Sequence, residues 1–184
     1  MLRAFCRWLL KIWGFKITGN FPVKDKKKLY VVVPHTSNWD FPLGILMKYG
    51  YHMDVRYVAK HSLFIFPFGW FFRKTGGIPI DRNKSANYVD AIVEVFDRHD
   101  TISIAIAPEG TRKKVDRLKT GFYWIAKKAG IPLILVKFDW ANKEVNYSEP
   151  FYPGEDFDED MKSIINHFKN VVGKIPKYSF GYEA

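Results

Sequence analysis

The sequence predicts an α/β fold: a single domain built on a mixed, mostly parallel sheet flanked by helices. Three observations carry this. Short β-branched apolar runs recur along the chain, at Leu29–Val33, Thr101–Ala107 and Ile131–Val136, the pattern of buried strands. Stretches with apolar residues at helical spacing lie between them, and strands alternating with helices build α/β sheets. No linker, repeat or low-complexity stretch divides the 184 residues, a length that suits one hydrophobic core.

In chain order, residues 2–13 place Leu2, Phe5, Leu9, Ile12 and Trp13 on one helical face and Arg3, Arg7 and Lys11 on the opposite one, with Trp8 and Leu10 flanking the apolar stripe. A basic face opposite an aromatic-rich apolar face describes a helix lying in a membrane interface; the alternative is a helix packed on its own domain. Leu29–Val33 is a strand, followed by the loop Pro34-His35-Thr36-Ser37-Asn38-Trp39 and a helix from near Asp40. Asp54–Ala59 and Gly76–Ile80 read as further strands. Tyr88–Arg98 carries Val89, Ile92, Val93 and Phe96 at helical spacing. Pro108 halts the strand Thr101–Ala107, and Gly130 stops a helix over Gly121–Lys128. After the strand Ile131–Val136, Lys137–Trp140 and Glu144–Tyr147 flank an Ala-Asn-Lys turn as a hairpin. The acidic cluster Glu155–Asp160 precedes Ile164, Ile165, Phe168 and Val171, where negative charge suits a helix N-terminus.

A net charge of +10 and a pI near 9.6 favour an anionic partner, whether nucleic acid, an anionic bilayer or an acidic carrier protein. The single cysteine, Cys6, cannot form an internal disulfide, and the chain reads as one that lives in a reducing compartment. The longest uncharged apolar run, Leu63–Phe72, falls short of the ~20 residues that span a bilayer. Arg7 and Lys11 interrupt the N-terminal apolar stretch and no small-residue cleavage site follows, so it does not read as a signal peptide.

Two clusters carry chemistry. His35 and Asp40 follow a buried strand, where sites in α/β sheets lie. On a continuous helix residues five apart would sit about 140° apart and not meet, but a turn through Thr36, Ser37 and Asn38, whose side chains cap backbone groups, folds Asp40 back onto His35. A carboxylate on one imidazole nitrogen fixes the tautomer, leaving the other nitrogen to accept a hydroxyl proton. The alternative is a helix-capping Asp beside an unrelated His. Pro108-Glu109-Gly110-Thr111-Arg112 also follows a strand. Gly110 permits tight curvature and Arg112 offers a planar donor fork for phosphate or carboxylate; the alternative is an ordinary turn with a surface Arg. Between them Gly77-Ile78-Pro79-Ile80-Asp81-Arg82 puts a further Arg after a strand. Three such loops are expected to converge at one edge of the sheet. The five histidines, His35, His52, His61, His99 and His167, show no metal-ligand spacing.

These blocks, in this order, resemble the glycerolipid acyltransferase superfamily. His35 and Asp40 match its H-x4-D block, Gly77–Arg82 its second block, Pro108–Arg112 its third and Ile131–Val136 its fourth; Lys60–Phe64 with Pro67, Gly69 and Trp70 looks like the usual lead-in. The resemblance, which covers residues ~30–136, implies a glycerol-3-phosphate acyltransferase-like fold; with the amphipathic N-terminal pattern it divides the chain into a membrane-surface helix over residues 1–18 and an acyltransferase domain over 19–184. It implies transfer of a fatty acyl group from an acyl thioester, acyl-CoA or acyl-carrier protein as co-substrate, to the hydroxyl of a lyso-lipid such as 1-acylglycerol-3-phosphate in phospholipid biosynthesis. No cofactor and no metal are implied. His35 is then the general base and Asp40 its partner; Arg82, Glu109, Gly110, Thr111 and Arg112 bind the acceptor, and Ile131 and Pro132 help line an acyl channel. Pro34 stands where many members carry Asn, and Leu135 where many carry a second Pro, which leaves a different lyso-lipid or an amino-lipid as the alternative acceptor. The chain lacks a G-x-S-x-G elbow, so no acyl-enzyme is expected. The expected setting is peripheral, on the cytoplasmic face of an anionic membrane, held by residues 2–13 and Leu63–Phe72. Rival classes are a nucleic-acid-binding protein, against which the absence of any nucleic-acid motif argues, a non-catalytic membrane-binding module, and a hydrolase using the same pair on water.

Overall fold

The computed structural model describes residues 1–22, 24–80 and 88–181. Its strands are β1 (Lys16–Gly19), β2 (Lys27–Val33), β3 (Val55–Lys60), β4 (Gly77–Ile80), β5 (Ile102–Ile106), β6 (Leu133–Asp139) and β7 (Glu144–Tyr147). Its α-helices are α1 (Leu2–Ile12), α2 (Asp40–Gly50), α3 (Gly69–Lys74), α4 (Tyr88–Asp97), α5 (Gly121–Ala129) and α6 (Phe157–His167). The strands form one sheet in the order β1-β7-β6-β2-β5-β3-β4. β2 pairs in parallel with β5 and β6, and β3 with β4 and β5, while β7 runs antiparallel to β6 and carries β1 parallel to itself. The sheet is therefore mixed and mostly parallel, and the five parallel strands all end at one edge.

Side-chain alternation sorts the core into two layers, because successive residues of a strand point to opposite faces. Leu29, Val31 and Val33 of β2, with Ile102, Ile104 and Ile106 of β5 and Leu133 and Leu135 of β6, pack against α4, α5 and α6 through Ile92, Phe96, Phe122, Ile125, Met161 and Ile164. On the other face Tyr30, Ile134, Val136 and Phe138 meet Leu10 of α1 and Leu43 and Met47 of α2. Both faces of β2 and β6 are covered, so the stretches Leu29–Val33 and Leu133–Val136 are continuously apolar instead of alternating.

Helix α1 has three arcs. Cys6 and Leu10 are buried; Leu2, Phe5, Trp8 and Ile12 are exposed; Arg3, Arg7 and Lys11 form a basic arc, also exposed. The helix thus packs by one narrow edge and still presents an apolar face. The run Leu63–Phe72 takes in the end of a 3-10 turn (His61–Phe64) and the start of α3. Its Phe66, Phe68 and Trp70 are largely exposed. Among the described residues no helix is long and apolar enough to cross a membrane.

Three features depart from the sequence expectation. β1 and α3 were not foreseen: the first has a single large apolar residue, Ile17, and the second lies in an apolar run without period. Gly69 opens α3 because a Cβ there would stand 2.1 Å from the Phe64 carbonyl oxygen. The break expected after Val136 is absent. β6 continues through Lys137 to Asp139, with Val136 opposite Tyr147 and Asp139 opposite Glu144; polar residues at alternate positions do not interrupt a strand.

Gly130 ends α5 in the left-handed conformation, φ 62°, with open space where a Cβ would lie. A side chain there meets only the backbone penalty. Gly130→Ala should cost about 1 kcal/mol and Gly130→Asn less, measured by urea unfolding. An Ala variant as stable as wild type would contradict this account of the helix end.

Candidate active site

The loop between β2 and α2 folds back on itself because the Asp40 carboxylate gathers its donors. Asp40 Oδ2 accepts from His35 Nδ1 at 2.9 Å and from the backbone N–H groups of Thr36 and Ser37 at 3.0 and 2.9 Å. Ser37 Oγ accepts from the Trp39 N–H at 3.2 Å, closing the turn. Asp40 itself is buried at 4% exposure, whereas the His35 side chain keeps 31%. With Nδ1 turned to the carboxylate, Nε2 is the imidazole nitrogen left for a substrate proton.

The β5 loop supplies the second anchor. Glu109 Oε1 accepts the His35 backbone N–H at 2.9 Å, and its Oε2 is buried without a hydrogen-bond partner among the described residues. Burial pushes the Glu109 carboxyl up to about 7; the His35 N–H and ring oppose the rise, and the Asp40 charge adds a little to it. Gly110 takes φ 66°, its N–H donating to the Ala107 carbonyl at 3.2 Å. A Cβ there would stand 3.0 Å from Lys119 Nζ. Thr111 and Arg112 follow, exposed, and a guanidinium offers a planar donor fork suited to an anion.

The structure brings His35 into direct contact with both Asp40 and Glu109 and sets Gly110, Thr111 and Arg112 at the same carboxyl edge. Arg82 lies outside the described residues. Ile131 and Pro132 stand at the amino end of β6, buried, where the Pro132 carbonyl accepts the Leu29 N–H at 3.0 Å. A channel reaching them from His35 would have to run the length of the sheet.

Several supporting residues escaped sequence reasoning. Trp140 Nε1 donates to Asp40 Oδ1 at 2.7 Å. The segment after α6 wraps the site: the Val172 carbonyl accepts the Trp140 N–H at 2.8 Å, and the Ile175 N–H donates to Thr36 Oγ1 at 3.1 Å. Gly173 fits beneath Thr36 because a Cβ would lie 2.6 Å from that oxygen. The one available signal was that a buried indole N–H needs an acceptor; nothing in the sequence named Asp40 as that acceptor.

A mostly parallel α/β sheet thus carries a carboxylate-anchored histidine at its carboxyl edge, and the chain belongs to the acyltransferase family: the family model described as Acyltransferase matches residues 14–138. Proteins named 1-acyl-sn-glycerol-3-phosphate acyltransferase are similar to it. That of Haemophilus influenzae is 28% identical over 151 residues, 76% of this chain and 62% of the relative. That of Streptococcus pneumoniae is 30% identical over 148 residues, 75% and 54% respectively. That of Escherichia coli is 37% identical over 95 residues, 48% and 39%. The chain thus spans little more than half the length of the first two. No solved structure matches it.

Glu109 gives a pH test. Its folded-state carboxyl sits near 7 against an ordinary 4.5, so folding is favoured by the protonated form. That contribution is full below about pH 4.5 and is lost as pH rises through about 7. Glu109→Gln keeps an acceptor for the His35 N–H and removes the titration. Relative to wild type the variant should gain up to roughly 3 kcal/mol between about pH 4.5 and pH 8, read by urea unfolding at both. A difference that does not change with pH would refute it.

Proposed function

We propose that this domain transfers a fatty acyl group from an acyl thioester, acyl-CoA or acyl-carrier protein, to the hydroxyl of a lyso-lipid in phospholipid biosynthesis. 1-Acylglycerol-3-phosphate is the acceptor that the relatives' names favour. The observation that carries the reading is the His35–Asp40 pair: a partly exposed imidazole whose Nδ1 is held 2.9 Å from a buried carboxylate.

In this reading His35 Nε2 takes the acceptor hydroxyl proton as the oxygen attacks the thioester carbonyl carbon. The C–O bond forms, the tetrahedral oxyanion collapses, the C–S bond breaks, and the imidazolium returns its proton to the departing sulfur. Asp40 holds the tautomer and stabilises the imidazolium. No acyl-enzyme forms and the thioester is the co-substrate, with no cofactor consumed. Arg112, with Arg82, pairs with the acceptor's anionic head group, and Glu109, Gly110 and Thr111 hold that loop in shape. His35→Ala should lower kcat on the order of 10²–10⁴-fold with the fold intact, assayed with a labelled acyl thioester against a panel of lyso-lipids and amino-lipids. Undiminished turnover by a folded variant would sink the mechanism, and the panel names the acceptor.

The acceptor and product reside in a bilayer, so the domain docks at its surface, on the cytoplasmic face. The exposed Leu2, Phe5, Trp8 and Ile12 enter the acyl boundary, joined by Phe66, Phe68 and Trp70, while Arg3, Arg7 and Lys11 meet anionic head groups. Each cation contributes roughly 1 kcal/mol near such a surface, less as salt screens it. Anionic liposomes should therefore pellet more protein than zwitterionic ones, with the difference shrinking in high salt. The triple variant Arg3→Glu, Arg7→Glu, Lys11→Glu should stay in the supernatant with an unchanged melting curve. Equal pelleting of variant and wild type at low salt would rule this docking mode out.

A further inference from the structure

Asp40 has two oxygens with different tasks. Oδ2 meets His35 and two backbone N–H groups, while Oδ1 receives the indole N–H of Trp140 at 2.7 Å. A carboxylate gripped at one oxygen alone turns easily about its last torsion, whose profile is broad. A donor on the second oxygen fixes the carboxylate plane and with it the direction in which Oδ2 faces Nδ1. The indole is suited to that task, being a rigid donor with no acceptor capacity.

Trp140 is itself held on every side. It is 7% exposed and closes the β6 end, its backbone N–H tied to Val172. Phe15 meets its ring edge-on with centroids 5.0 Å apart, and Trp13 at 5.9 Å. The ammonium groups of Lys143 and Lys174 stand over the ring at 5.2 and 5.0 Å, a favourable cation–π arrangement. This packing exceeds what a strand end requires and leaves the N–H one direction to point.

We infer that Trp140 is a positioning residue of the His35–Asp40 pair, its indole N–H on Asp40 Oδ1 setting the carboxylate plane that orients the His35 ring. The inference rests on the acyl-transfer reading of this site. Trp140→Phe keeps an aromatic ring, though a smaller one, and removes the donor, leaving an oxygen of a buried carboxylate short of a hydrogen bond. The unpaired oxygen and the smaller ring both cost stability, so the variant should melt below wild type and remain folded at the assay temperature. Its kcat should fall about 10- to 100-fold while KM for the acceptor stays put, because Trp140 touches no substrate.

Two measurements separate positioning from mere packing. On an Asp40→Asn background, Trp140→Phe should add little further loss, since it acts through the charge already removed. Losses that multiply would overturn the inference. In a ¹⁵N-indole spectrum, the peak missing from Trp140→Phe should move upfield in Asp40→Asn, where the acceptor has lost its charge, and stay in place in His35→Ala. A peak unmoved by Asp40→Asn overturns the hydrogen bond itself, whatever the activity shows. If Asp40→Asn turns over at the wild-type rate, the pair and the role of Trp140 fall together. If Asp40→Asn is impaired and Trp140→Phe is not, the role of Trp140 alone falls.

Discussion

A buried carboxylate must be fully hydrogen-bonded or it destabilises the fold that contains it, and Asp40 is the group around which this end of the molecule is arranged. Its donors come from the loop it terminates, through His35, Thr36 and Ser37, and from the end of β6, through Trp140. The loop is thereby bent into one shape, α2 starts where it does, and the imidazole is turned outward. Glu109 works from the opposite side with a different requirement. Its Oε1 accepts the His35 N–H, its second oxygen is buried without a hydrogen-bond partner among the described residues, and burial drives the carboxyl toward the neutral form. Two carboxyl groups close to one histidine are thus held in contrasting surroundings, and the contrast keeps their roles apart.

The parallel sheet makes this possible. β2, β5 and β6 lie side by side, so the loops that leave them emerge together although His35, Glu109 and Trp140 are far apart in sequence. The residues after α6 then seal the arrangement from outside. The Ile175 N–H donating to Thr36 Oγ1 and the Gly173 N–H donating to Ser179 Oγ, at 3.1 and 2.8 Å, brace the loop against a segment that carries no recognisable motif.

Sequence reasoning recovered what depends on local pattern. The apolar runs located β2, β5 and β6 because both faces of these strands are buried, and Gly130 marked the end of α5 because only backbone conformation is at stake there. His35, Asp40 and the Glu109–Arg112 loop were legible because their chemistry is compressed into short segments. Hidden were features that arise when distant segments meet. Trp140 reads as one more strand residue until β6 is laid beside β2. β1 has too few apolar side chains to announce itself and exists through its pairing with β7. The two readings of α1, surface helix and packed helix, proved not to exclude one another, because Cys6 and Leu10 occupy a different arc from Leu2, Phe5, Trp8 and Ile12.

The aromatic cluster at the site has a consequence for where the working unit ends. The family signature runs from residue 14 to residue 138, yet Trp13 and Trp140, whose rings lie 5.9 Å apart, fall just beyond its two limits. Trp13 also meets Trp39 at 5.7 Å, beside Asp40. A fragment trimmed to the signature would retain every motif residue and lose both clamps on the aspartate's surroundings. The working unit is therefore set by side-chain packing at its margins, and it has to include both rings and the segment after α6 that holds Trp140 through Val172.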